Sequence, residues 1–168
     1  MSFANARRGL RIKDSKFEYL TEGAYGVVFV DRAANRIRKI YRVNDEGLAS
    51  HCIEAYEAEA KAFEIASADE RLRELIPEWH GRRSAQSIVD QNDQDVSNEF
   101  YSDLAFEVEF IPDAFQKFGV ISSGEQERIG ALFIERGIAY MKDASVILRD
   151  GRVHKVIDFA TKEVEPWW

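Results

Sequence analysis

The chain has 168 residues, 45% hydrophobic and 32% charged, and a formal net charge of −7. That length and balance fit one globular domain able to bury a core without a disulfide or a structural metal. Dispersed basic residues in an acidic chain argue against nucleic acid as the main partner, and no apolar run approaches the roughly 18 residues of a membrane span.

Residues 1–17, MSFANARRGLRIKDSKF, have no apolar core behind their arginines and do not read as a cleaved secretory signal. Phe17, Tyr19 and Leu20 begin a strand. The loop of TEGAYGVVFV follows, with Gly23 and Gly26 three apart, and Val27 to Val30 form a second strand. Residues 31–35 supply a turn, and Ile37, Ile40 and Val43 mark a third strand through RIRKIYRV. From Ser50 the pattern becomes helical in HCIEAYEAEAKAFEIASA, with Ile53, Tyr56, Ala60 and Phe63 expected on one face and Cys52 as a small buried residue. A short helix over 69–75 leads to strands at 86–89 and 104–111, which flank a polar loop. The acidic run Asp90-Gln-Asn-Asp-Gln-Asp95 lacks the turn glycine and closing glutamate of a calcium loop and reads as a solvated loop. A last helix is expected over 123–138, with Ser123 as N-cap and Glu125 in its first turn. Residues 146–148, the turn Arg149-Asp-Gly-Arg152 and residues 153–159 complete a hairpin. The order β-β-β-α-β-β-α-β-β gives an α+β class.

Two features exclude chemistry. The single Cys52 cannot form an internal disulfide, and His51, His80 and His154 lack the spacing of a zinc site. One feature invites it. Glycines at 23 and 26 would let backbone N–H groups approach a ligand with no β-carbon in the way, although such a pair also serves an ordinary hairpin turn.

Taken together, the glycine loop, Lys39 on the third strand, a glutamate on the following helix, the FEVEFIP segment and VIDFA resemble, in that order, the N-terminal lobe of a protein kinase and its metal-binding segment. The resemblance runs from about Phe17 to Ala160. It implies an N-terminal lobe and hinge over about 16–111, a five-stranded antiparallel sheet with one long helix, then a truncated second lobe of a helix and a β-hairpin over 112–168. The whole would be one minimal kinase-like domain binding ATP and Mg²⁺. By resemblance, Gly23, Ala24, Tyr25, Gly26 and Val28 cover the phosphates, with Thr21 in place of the first glycine. Lys39 contacts the phosphates and Glu59 pairs with it, Glu57 and Glu54 being the other glutamates on the helix. Val108 takes the gatekeeper place, Glu109 to Ile111 present backbone groups to adenine, and Asp158 holds the metal.

The catalytic loop departs from the family pattern. An ungapped fit through AYMKDASVILRDGRVHKVIDFA puts Tyr140 where the base aspartate belongs and Ser145 where a metal-binding asparagine belongs. Asp143, three residues on, is the nearby carboxylate that could act as base. Only eight residues of the sequence follow Ala160, so neither an activation segment nor a helical substrate half is expected. The resemblance is therefore to the small kinases that some bacteria inject into host cells, acting on a protein serine or threonine. A kinase-derived module that binds nucleotide or a partner without transferring phosphate is the alternative. The partner expected in either case is a protein, with neither nucleic acid nor membrane, and the location is the cytoplasm or a host cell reached by a non-cleaved export signal. Trp167 and Trp168 would offer an apolar patch, or fold back onto the domain.

Overall fold

Short runs of alternating apolar residues, punctuated by turn formers, build the first half of the chain. The computed structural model describes residues 9–43, 49–84 and 86–164; Trp167 and Trp168, and most of the N-terminal stretch, lie outside them. The strands are β1 (Arg11–Ile12), β2 (Glu18–Glu22), β3 (Gly26–Asp31), β4 (Arg36–Arg42), β5 (Trp79–Arg83), β6 (Ile88–Val89), β7 (Phe100–Glu109), β8 (Gln116–Lys117), β9 (Ser145–Arg149) and β10 (Arg152–Ile157). Three helices accompany them: α1 (Ala49–Ala68), α2 (Glu70–Arg73) and α3 (Ser123–Glu135). The mixed α+β class is as expected. Among the described residues no helix is long and apolar enough to cross a membrane.

The chain divides into two compact units. One holds the described residues up to Tyr56 together with His80–Phe110; the other holds Glu57–Trp79 and the described residues from Ile111 onward.

The first unit is built on a seven-stranded sheet in the order β5-β7-β4-β3-β2-β1-β6. This corrects the expected count of five. The additional strands are β1 and β5, both short, and β1 pairs with β6 far along the chain through Arg11↔Val89 and Ile12↔Ile88. β7 also begins at Phe100, four residues earlier than expected, because Phe100 pairs with Arg42 past an irregularity in β4. The sheet buries Leu10, Ile12, Phe17, Val27, Phe29, Ile40, Ile88, Phe100 and Ala105 in one apolar cluster. At its border lies Glu107, only 5% exposed. A carboxylate so placed must be paired. Arg36 reaches it at 3.0 Å, Arg38 at 2.8 Å and Arg83 at 3.4 Å, while Arg38 also lies 4.7 Å from the centre of the Phe17 ring. Burial alone would raise the Glu107 pKa, but the hydrogen bonds and charges of Arg38, Arg36 and Arg83 together hold it below the usual value.

Helix α1 is rich in alanine, which costs least in a helix and lets neighbours approach closely. Its buried residues are Cys52, Ala55, Tyr56, Ala58, Ala60, Ala62, Phe63 and Ala66. Ile53, expected on the inward face, is 48% exposed; the stripe instead starts at Cys52 and continues through Tyr56. In the first unit Tyr56 donates its hydroxyl to the Ala105 carbonyl at 3.0 Å and meets the Tyr41 ring edge-on.

The second unit packs around aromatic rings. Phe159, fully buried, lies 4.7 Å from Phe63 and 5.2 Å from Phe133 between ring centres, and Phe63 stacks on Trp79. Asp69 caps α2, accepting from the backbone N–H groups of Arg71 and Leu72. Helix α3 is capped by Ser122, one residue before the expected Ser123. It stops at Glu135 because Gly137 takes φ +83°, and the Ile138 N–H then returns to the Phe133 carbonyl. Glu125, in the first turn of α3, binds Arg128 through both oxygens and accepts the Val153 N–H at 2.9 Å. Those bonds, Arg128 first, lower its pKa to about 2. They fasten α3 to the hairpin of β9 and β10, whose strands form a three-stranded sheet with β8.

Candidate active site

In the first unit the glycine loop is the tip of the β2–β3 hairpin. The Gly23 N–H donates to the Gly26 carbonyl at 2.9 Å, so that donor serves the hairpin and not a ligand. The tip is exposed at Gly23 and Ala24, half-buried at Tyr25 and buried at Gly26. Burial, followed by the nearby Cys52 and Glu54, raises the pKa of the Tyr25 phenol. Neither glycine has positive φ, so backbone freedom is not their use here. Close approach is the use at Gly26. A β-carbon there would lie 3.1 Å from the Ile40 carbonyl oxygen and 3.2 Å from Lys39 Cε, whereas one on Gly23 would meet nothing.

Lys39 stands on β4 opposite Val28 on one side and Phe106 on the other. Its chain therefore passes beside Gly26 and its ammonium lies 5.1 Å from the centre of the Tyr41 ring. The same strand supplies a residue that the sequence reading did not single out. Arg42 binds the Glu22 carboxylate and donates to the carbonyls of Gly23 at 3.0 Å and Ala24 at 3.2 Å, bracing the loop from beneath. Its N–H also donates to the Tyr25 carbonyl. At the far end of β7, Val108 is buried opposite Ile37, and Glu109, half-buried, stands opposite Arg36. The chain leaves the first unit after Phe110, whose N–H is held by the Asn35 carbonyl; Ile111 begins the next segment of the second unit.

The second unit connects four of the other residues. Asp158 is exposed, with φ +60°, a left-handed backbone that few residues other than glycine adopt and that aspartate tolerates better than most. Phe159, the next residue, is locked between Phe63 and Phe133, and Phe63 is one helical turn beyond Glu59. The Thr161 N–H donates to the Ala58 carbonyl at 3.1 Å, tying the same segment to α1 beside Glu59. Glu59 is half-buried while Glu54 and Glu57 are exposed. Ala160 and Tyr140 exchange both backbone hydrogen bonds, at 3.0 and 3.1 Å, and the Tyr140 hydroxyl donates to Asp143 Oδ2. Glu59, Asp158, Tyr140 and Asp143 are thus fastened along one connected piece of structure. Ser145 is buried at 8% exposure as the first residue of β9.

Among the described residues no group of three histidine, cysteine, aspartate or glutamate side chains could cage a metal. A magnesium ion held by one or two carboxylates plus substrate phosphates needs no such cage. No protein-family model, no curated protein and no solved structure matches the chain, so the reading of its site rests on its own residues and their geometry.

Proposed function

We propose that the chain is a minimal kinase-like phosphotransferase, passing the γ-phosphoryl group of Mg·ATP to a serine or threonine hydroxyl of a protein. The observation that carries the reading is the Asp158 segment: an exposed, left-handed carboxylate beside a locked Phe159, tied by backbone bonds to Ala58 and to Tyr140. Asp14, Asn35, Asp93 and Asp150 take the same left-handed backbone in turns and bends, so the locking of the segment around Phe159, and not its φ alone, supports the reading. In this reading the roles follow the resemblance: the β2–β3 loop, apart from the Gly23 N–H that is spent on Gly26, and Lys39 would hold the phosphates, Glu59 would keep the orienting role, and Glu109 with Ile111 would border the base. Asp158 would hold the Mg²⁺, which when bound neutralises charge on the phosphates. Asp143 receives the proton of the acceptor hydroxyl. Transfer of this kind asks chiefly for positioning and charge neutralisation, and a placed base adds roughly 10²- to 10⁴-fold.

The second reading, a nucleotide-binding module without transfer, draws support from Ser145, which is buried in β9 where the family pattern has a metal-binding asparagine. Both readings require nucleotide binding. Mg·ATP should raise the melting temperature, since a ligand at 100-fold over its Kd adds about 2.7 kcal/mol. No shift at millimolar Mg·ATP would remove both.

A further inference from the structure

The base assigned above has an unusual neighbour. Asp143 is an exposed residue in the turn closed by the Ala144 N–H and the Met141 carbonyl at 3.1 Å. An aspartate in such a turn would ordinarily sample several rotamers, and an error of about 1 Å in a reacting group costs on the order of 10²-fold in rate. Here the carboxylate is not left to itself. Tyr140 Oη donates to Asp143 Oδ2, and Lys117 Nζ lies 3.5 Å from the Asp143 carbonyl oxygen. Tyr140 is in turn fixed by its paired backbone bonds to Ala160, two residues beyond Asp158.

We propose that Tyr140 is a positioning residue for Asp143, an inference that rests on the phosphotransferase reading. The residue occupying the place of the family's base is then not a lost catalyst but the support of a relocated one. Its phenol donates to Oδ2, leaving Oδ1 to the acceptor. As the acceptor oxygen attacks the γ-phosphorus, its proton passes to Oδ1. The bond from the γ-phosphorus to the bridging oxygen breaks, and ADP leaves with the bond's electron pair. The chain Asp158–Ala160–Tyr140–Asp143 would set the base relative to the metal-binding carboxylate through backbone pairing and one side-chain hydrogen bond.

Two readouts on the full chain test this. In the nucleotide-free protein, the NMR resonance of Tyr140 Cζ reports its hydrogen bond, and it should move in Asp143→Ala. With Mg·ATP and dephosphorylated casein as probe acceptor, Tyr140→Phe should lower kcat by about 10- to 100-fold while the KM for ATP changes less than about twofold. Tyr140→Phe added to Asp143→Ala should cost nothing more, because the two act as one unit. Wild-type kcat in Tyr140→Phe, an unmoved Cζ resonance, or phosphate found on Tyr140 itself would each overturn the proposal. The NMR readout needs only the exposed Asp143 substitution, so an unmoved resonance overturns the proposal even where Tyr140→Phe does not fold. Binding of Mg·ATP without any transfer by the wild-type protein would instead overturn the phosphotransferase reading, and the catalytic role of Tyr140 with it.

Discussion

The β2–β3 hairpin and the β9–β10 hairpin both carry candidate site residues, yet they are held in different ways. In the first, the tip is shaped from a distance: Arg42, from the neighbouring strand, grips two loop carbonyls, and Gly26 makes room for Lys39. In the second, the turn is written locally. Asp150 and Gly151 both take positive φ, 53° and 77°, which is the two-residue turn that an Asp-Gly pair favours. The same contrast extends to the carboxylate that fastens each unit. Glu107 is gripped by three arginines from β4 and β5. Glu125 is held mainly by Arg128, three residues away on its own helix, with one backbone bond to Val153. A site assembled by remote partners should be more fragile than one supported nearby.

The largest effect expected on stability is at Glu107. Glu107→Ala leaves three guanidinium groups around an empty place at the edge of an apolar core, and should destabilise by about 3–5 kcal/mol, measured by urea unfolding. Glu125→Gln should cost less, about 1.5–3 kcal/mol, because it loses hydrogen bonds to a charged group but leaves its partners near solvent. Acid should separate them further. The Glu125 pKa is about 2 in the folded chain against an ordinary 4.5. Its contribution is therefore full above about pH 4.5 and disappears as the pH falls toward 2; Glu125→Gln should flatten that part of the stability profile. Equal losses for the two glutamates would erase the contrast.

The glycines sharpen the comparison within one loop. Gly26→Ala should cost about 1–3 kcal/mol, since its β-carbon would crowd a backbone carbonyl and the lysine chain. Gly23→Ala, pointing into open space, should stay within about 0.5 kcal/mol. A melt of each variant distinguishes the two.

What was legible in the sequence follows the same division between local and remote. The strands β2 to β4, helix α1 and the β9–β10 hairpin announce themselves through alternation, alanine-rich periodicity and an Asp-Gly turn. β1 and β8 are two residues long, and although β1 also pairs with the neighbouring β2, each has a partner far along the chain, at Val89 and Val146. β5, WHGRR, has no alternation of apolar residues to betray it. The extra strands in the first sheet could not be read for that reason. In the site, Gly26, Lys39, Glu59 and Asp158 are singled out by residue type and spacing, and the structure adds their burial: Glu59 is half-buried and Glu57 exposed. Arg42 was not legible, because strand register and not sequence distance brings it under the loop. Tyr140 and Asp143 were both noticed, as a departure and its substitute. Their hydrogen bond could not be read, because three residues across an irregular turn fix no side-chain direction.

The account's central claim is tested most directly by following γ-phosphoryl transfer from Mg·ATP to dephosphorylated casein by the wild-type chain, Asp158→Asn and Asp143→Ala. Asparagine suits the left-handed backbone at position 158 nearly as well as aspartate, so Asp158→Asn removes the charge and leaves the fold. The account predicts transfer by the wild type, a fall on the order of 10³-fold in Asp158→Asn, and a fall of at least about 10²-fold in Asp143→Ala with nucleotide binding retained. Transfer that survives both substitutions, or a wild-type chain that binds Mg·ATP and transfers nothing, would contradict it.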